Sequence, residues 1–149
     1  MTAAHIDIDH ASQESGTRFF DCGRARMRAK IDTELTVISI SGEIDASNAD
    51  ELSQRSRELT SDRGAFIADL ADVDFIALDG LHPLSALNAQ CVRTGATWAL
   101  ITSHAVNRLL RVADHDKLLP AVGSATEALL LIRRSSRGHR SLQLVNPAG

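Results

Sequence analysis

Tyrosine is absent from the 149 residues, tryptophan occurs once and phenylalanine four times. A core of any size must therefore be packed from Leu, Ile, Val and Ala. The same scarcity removes the stacking residues that a nucleic-acid surface uses, and a net charge of −3 supplies no basic excess to attract phosphates. Arg residues gather only over Arg24–Lys30 and Arg133–Arg140, the latter in a Ser/Gly-containing end. Two cysteines, Cys22 and Cys91, make no disulfide framework. No run of about 18 apolar residues exists to span a membrane as a helix. The start, Met1-Thr2-Ala3-Ala4-His5, soon turns acidic and lacks the basic and apolar regions of a signal peptide. The expectation is a cytoplasmic protein with no nucleic-acid or membrane partner.

Recognisable reaction chemistry is also missing. Neither phosphate-cradling loop, GxxxxGK[ST] or GxGxxG, occurs, and there is no HExxH or GxSxG. His5, His10, His82, His104, His115 and His139 are dispersed. His5-Ile6-Asp7-Ile8-Asp9-His10 would need a bent loop to hold a metal, and a solvated leader explains it more simply. Asp114-His115-Asp116 has no serine elbow to serve and reads as a polar turn after a helix. No enzyme, no cofactor, no metal site and no catalytic residue is expected.

What is present is one domain. The 44% hydrophobic and 23% charged residues are ordinary for a folded chain. Residues 1–22 lack sustained periodicity and read as a flexible leader whose first twenty residues are dispensable. Residues 23–134 form the domain, and residues 135–149 a tail. Arg24 to Ile31 alternates, with Ala25, Met27, Ala29 and Ile31 on one side and basic residues on the other, as a half-exposed strand near an edge does. An Asp32-Thr33-Glu34 turn leads into the β-branched strand Leu35 to Ile40, ended by Gly42.

Ser47-Asn48 opens a helix with Ala49, Leu52, Ser56 and Leu59 on one face. Ala65 to Leu70 is a short buried strand. A second helix runs from near Asp79-Gly80 to Arg93, its inner face Leu84, Leu87 and Cys91, its stop Gly95. Strand Thr97 to Thr102, helix Ser103 to Ala113 and a strand around Leu119 to Val122 follow. Ser124 to Glu127 is a capping box for a last helix ending near Arg133. The fold class is α/β, order β-β-α-β-α-β-α-β-α, with a mixed sheet opened by an antiparallel hairpin and helices packed against it.

Two segments carry more than fold. They are Ser41-Gly42-Glu43-Ile44-Asp45-Ala46-Ser47-Asn48 and Asp69-Leu70-Ala71-Asp72-Val73-Asp74-Phe75-Ile76-Ala77-Leu78-Asp79-Gly80-Leu81. In this order they resemble the STAS domain, especially bacterial anti-sigma-factor antagonists, over about residues 23–134. The resemblance implies a non-enzymatic switch. The unphosphorylated antagonist binds an anti-sigma factor with a kinase-like ATPase fold and frees a sigma factor for transcription. Phosphorylation of a serine at the start of the second helix ends the binding, because a phosphate adds charge and bulk at a helix N-terminus.

Gly42-Glu43-Ile44-Asp45 matches the first family motif. Asp69-Leu70, Val73, Phe75-Ile76 and Gly80-Leu81 match the second. The family's Asp-Ser-Ser, however, reads Ala77-Leu78-Asp79, so Asp79 holds the phosphoacceptor position. Three readings of Asp79 stand: a helix cap, a fixed partial imitation of phosphoserine, or an acceptor of phosphate assisted by Asp72 and Asp74 around Mg²⁺. The partner-binding residues implied are Glu43, Asp45, Ser47, Asn48, Leu78, Asp79, Gly80, Leu81 and His82. A STAS scaffold subunit and a small-molecule sensor remain as alternatives, and a weak homo-oligomer is left open. Trp98 and Cys91 are read as core packing, and no bridge between Cys22 and Cys91 is expected.

Overall fold

The computed structural model describes residues 16–60, 64–115 and 117–145, with side chains up to residue 135. Six strands form one sheet in sequential order. They are β1 (Gly16–Cys22), β2 (Ala25–Ile31), β3 (Leu35–Ile44), β4 (Ala65–Ile76), β5 (Thr97–Ile101) and β6 (Ala121–Val122). The helices are α1 (Ala49–Thr60), α2 (Leu81–Thr94), α3 (His104–Val112) and α4 (Ala125–Val145). β1, β2 and β3 pair antiparallel, and β3 through β6 pair parallel.

Each parallel step advances one strand in the same direction, so right-handed crossovers put α1, α2 and α3 on one face. Leu52 and Leu59 of α1, Leu84 and Leu87 of α2, and Val106 and Leu110 of α3 meet Met27, Ile38, Phe66, Leu70 and Leu100 in the main core. On the other face Ala128 and Ile132 of α4 cover Ile67, Ala99 and Ile101. Trp98 fills the core as expected: its ring stacks on Phe66 at 5.6 Å, and its Nε1–H donates to Asn88 Oδ1 at 3.2 Å. Ser103 caps α3 by accepting from the Val106 N–H, and Gly95 closes α2.

The structure corrects several boundaries. Residues 16–22 are a strand and not part of a leader, and removing the first twenty residues would delete most of it. Phe20 lies beneath the Arg18 and Arg55 guanidiniums, and Cys22 is in the main core. β2 is consequently an interior strand, although its faces are as predicted. β3 continues past Gly42 to Ile44, and β4 past Leu70 to Ile76. α4 continues to Val145 instead of ending near Arg133. Its interior glycine, Gly138, costs a helix about 1 kcal/mol, too little to stop it.

The two cysteines also exchange character. Cys22 is buried, whereas Cys91 is only half-buried, its thiol donating to the Ala96 carbonyl. Both are free, and burial pushes both thiol pKa values up, which disfavours the reactive thiolate. Gln90 joins the inner face of α2, donating to the Arg57 carbonyl at 2.8 Å, and half-buried Cys91 packs against the same core. Asp114 and His115 form the polar turn after α3, with Asp114 in the left-handed region; Asp116 and the His5–His10 segment lie outside the described residues.

Candidate functional site

Parallel strands bring their C-terminal ends to one side of a sheet, where α/β proteins concentrate their sites. β3 and β4 do so here, with Glu43 opposite Phe75 and Ile44 opposite Ile76. The Ala77 N–H then donates to the Ile44 carbonyl at 2.8 Å. The two segments singled out in the sequence thus become one surface.

Two glycines make this approach feasible. Gly42 has φ +96°, and a Cβ there would collide with the Arg24 carbonyl. That carbonyl accepts from the Glu43 N–H at 3.0 Å, so the β2–β3 pairing persists past the expected strand end. Gly80 is buried, and a Cβ on it would collide with Ile76 and come within 3.2 Å of Ile44.

Asn48 locks the first segment. Its Nδ2 donates to the carbonyls of Cys22 at 3.0 Å and Glu43 at 2.9 Å, while its Oδ1 accepts from the Asp45 N–H at 3.0 Å. Asn48 occupies the N-cap position of α1, since the Leu52 N–H donates to its carbonyl, but its side chain ties β1, β3 and the turn together instead of capping. Only 2% of Asn48 is exposed, and Gly80 is buried, so neither offers a side-chain contact to a partner; both position the surface.

The remaining predicted residues are accessible. Asp45 Oδ1 accepts from the Ser47 N–H at 2.9 Å and from the Ser47 hydroxyl at 2.5 Å. The hydroxyl bond is the main cause of a carboxyl pKa below its usual range, followed by the backbone bond, with the Arg24 charge adding to it. Glu43 pairs with Arg24 at 3.5 Å, an exposed contact. Leu81 and Asp79 are half-buried, and His82 and Leu78 are exposed, Leu78 by 65%.

Asp79 does not cap the helix. A short 3₁₀ turn, Leu78–Gly80, precedes α2 and moves the chain's entry back to Ala77, which is extended; neither Ala77 nor Gly80 supplies a side-chain cap. Asp79 therefore sits inside the first turn, too far along the helical path to bond back to it. It is the one acidic residue of this turn, and its carboxylate makes no hydrogen bond or ion pair among the described residues. Nor do any three His, Cys, Asp or Glu side chains converge as a metal site among these residues.

Sequence reasoning missed Phe75, which is 49% exposed. Two register shifts between β3 and β4 leave extra residues in β4 and turn Phe75 outward between buried Val73 and Ile76. Phe75 and Leu78 are both exposed large apolar residues at this end of the sheet. No helix among the described residues is long and apolar enough to cross a membrane.

Comparison with known proteins supports the assignment reached from these segments. The chain is 30% identical over 118 residues to osmosensory protein A of Mycobacterium tuberculosis, covering 76% of this chain and 75% of that protein. The fold is similar to the crystal structure of an anti-sigma factor antagonist from Mycobacterium paratuberculosis, with TM-score 0.62 and 23% identity over 79% of this chain and 95% of that one. A putative anti-sigma factor antagonist from Thermotoga maritima gives TM-score 0.63 and 18% identity, covering 70% and 92%. The family model described as STAS domain matches residues 26–128, and the chain belongs to that family.

Proposed function

We propose that this STAS domain is a non-enzymatic regulator that binds an anti-sigma factor of the kinase-like ATPase type and so frees a sigma factor for transcription. The observation that carries the reading is the joining of the 42–48 turn to the start of α2 in one surface. Glu43, Asp45, Ser47, Leu78, Asp79, Leu81 and His82 are its contact residues, with Asn48 and Gly80 holding them in place. Leu78 and Phe75 supply the desolvated anchor that interfaces require, and the carboxylates supply orientation. The absence of a serine at 77–79 removes the usual phosphate switch, and Asp79 leaves binding permanently permitted. A single carboxylate carries one charge and far less bulk than a phosphate.

The test uses immobilised full-length chain and a purified anti-sigma factor of this type. The wild type should retain it with ADP or ATP present, and Leu78→Asp should abolish retention. Absence of retention, or retention indifferent to Leu78→Asp, contradicts the proposal. Incubation with ATP should leave residue 79 unmodified by mass, and phosphate on Asp79 would overturn this account of the position.

A further inference from the structure

Among the described residues, the two edge strands of the sheet, β1 and β6, are unlike. β6 is two residues long, and such a short strand offers little to pair with. β1 is seven residues long and carries no proline or lysine to blunt it. Its one basic residue, Arg18, lies over the Phe20 ring at 5.2 Å instead of guarding the edge. Phe19 is 74% exposed.

The backbone shows which groups are available. Cys22 and Ala25 are the last pair before the turn Gly23-Arg24, and Gly23 has φ +68°, as the first central position of a type II′ turn requires. The pair closing a two-residue hairpin is hydrogen-bonded, and the alternation runs back along the strand from there. Cys22, Phe20 and Arg18 therefore spend their backbone groups on β2. Those of Thr17, Phe19 and Asp21 turn outward, away from the sheet.

We propose that β1 is a homotypic docking edge, on which β1 of a second copy pairs antiparallel about a two-fold axis through Phe19. In this register Phe19 faces Phe19 of the second copy, Thr17 faces Asp21, and Arg18 faces Phe20. All three outward-turned residues form hydrogen-bonded pairs, and the cationic Arg18 lies across an aromatic ring. Centring the axis on Arg18 or on Asp21 would instead set like charges directly opposite, which disfavours those registers. Centring it on Phe20 would leave Thr17 unpaired within the strand. The edge is thus self-complementary in one register, and the occupant it fits is its own copy. A single strand pair buries less than the roughly 1,200 Å² of a standard interface, so the dimer is weak and concentration-dependent. This inference is independent of the anti-sigma reading.

Sedimentation of the full chain from about 5 µM to about 1 mM tests it, over the range in which so small an interface associates. The wild type should pass from monomer to dimer, and Phe19→Lys should remain monomeric. Opposed residues in a hydrogen-bonded antiparallel pair have Cα atoms about 5.5 Å apart, within disulfide reach. Phe19→Cys should therefore give a covalent dimer under mild oxidation that the wild type does not give. A wild type that stays monomeric throughout overturns the proposal and assigns the edge to another occupant, such as residues before Gly16 or a strand of a different protein. A dimer undiminished in Phe19→Lys, or no bridge from Phe19→Cys, overturns it equally.

Discussion

The two halves of the candidate surface are built in opposite ways. In the 42–48 turn nearly every polar group is used internally: Asn48 makes three hydrogen bonds, Asp45 holds Ser47, and Glu43 meets Arg24. At the start of α2 the backbone is fixed by Gly80 packing and by the Ala77–Ile44 hydrogen bond, while Leu78 and His82 stay exposed and Asp79 has no polar partner among the described residues. The first half is tied up internally, and the second is left free for the contact proposed above. A surface that must be rigid before it meets a partner and still have something to give it needs both.

The largest expected effect lies beneath both halves. Leu87 is fully buried on α2, and Leu87→Ala should cost about 2–5 kcal/mol in urea denaturation, reducing binding only through loss of the fold. Next is Asn48→Ala, which strands the buried Cys22 carbonyl and the part-buried Glu43 carbonyl and Asp45 N–H and should cost about 3 kcal/mol, unusually high for a turn residue. A cost below about 1 kcal/mol would mean that the turn is not held by Asn48.

The second half should answer differently. Leu78→Ala and His82→Ala should change stability by no more than about 0.5 kcal/mol, as exposed positions do. A large destabilisation by either would erase the distinction between a scaffold half and a contact half.

The smallest effect sharpens the contrast inside the turn. Ser47 lowers the Asp45 pKa, so the stabilisation it gives is complete above the ordinary value of 3.8 and fades as pH falls through the lower folded value. Ser47→Ala should raise the Asp45 midpoint towards 3.8 in an NMR pH titration. An unmoved midpoint would show that the hydroxyl does not hold the carboxylate.

The sequence made part of this arrangement legible. The strict alternation of β2 revealed its two faces because each of its basic residues is exposed and each apolar residue between them is buried. The two motifs adjoin in the fold because parallel strands must deliver both ends to the same side of the sheet. The role of Asn48 was not legible: an Asn before a helix reads as a cap, and only the approach of β1 and β3 gives it better partners. The cap reading of Asp79 failed for a related reason, since no residue type announces the 3₁₀ turn that displaces the cap to Ala77. The β4 register shifts likewise have no compositional mark, so the exposure of Phe75 was hidden. β1 did carry a signal. Thr17, Phe19 and Phe20 favour strands, and Gly23 sits where a hairpin turn to β2 belongs.

Calorimetric titration of wild type, Asp79→Ser, Asp79→Ala and Leu78→Ala against an anti-sigma factor of the kinase-like type tests the central claim most directly. The wild type and both Asp79 variants should bind within about 0.5 kcal/mol of one another, and Leu78→Ala should weaken binding by about 2 kcal/mol. Only Asp79→Ser should lose binding after incubation with ATP. Tighter binding by Asp79→Ala, by about 1–3 kcal/mol, would show that the carboxylate imitates phosphoserine and blocks the partner, contradicting the account.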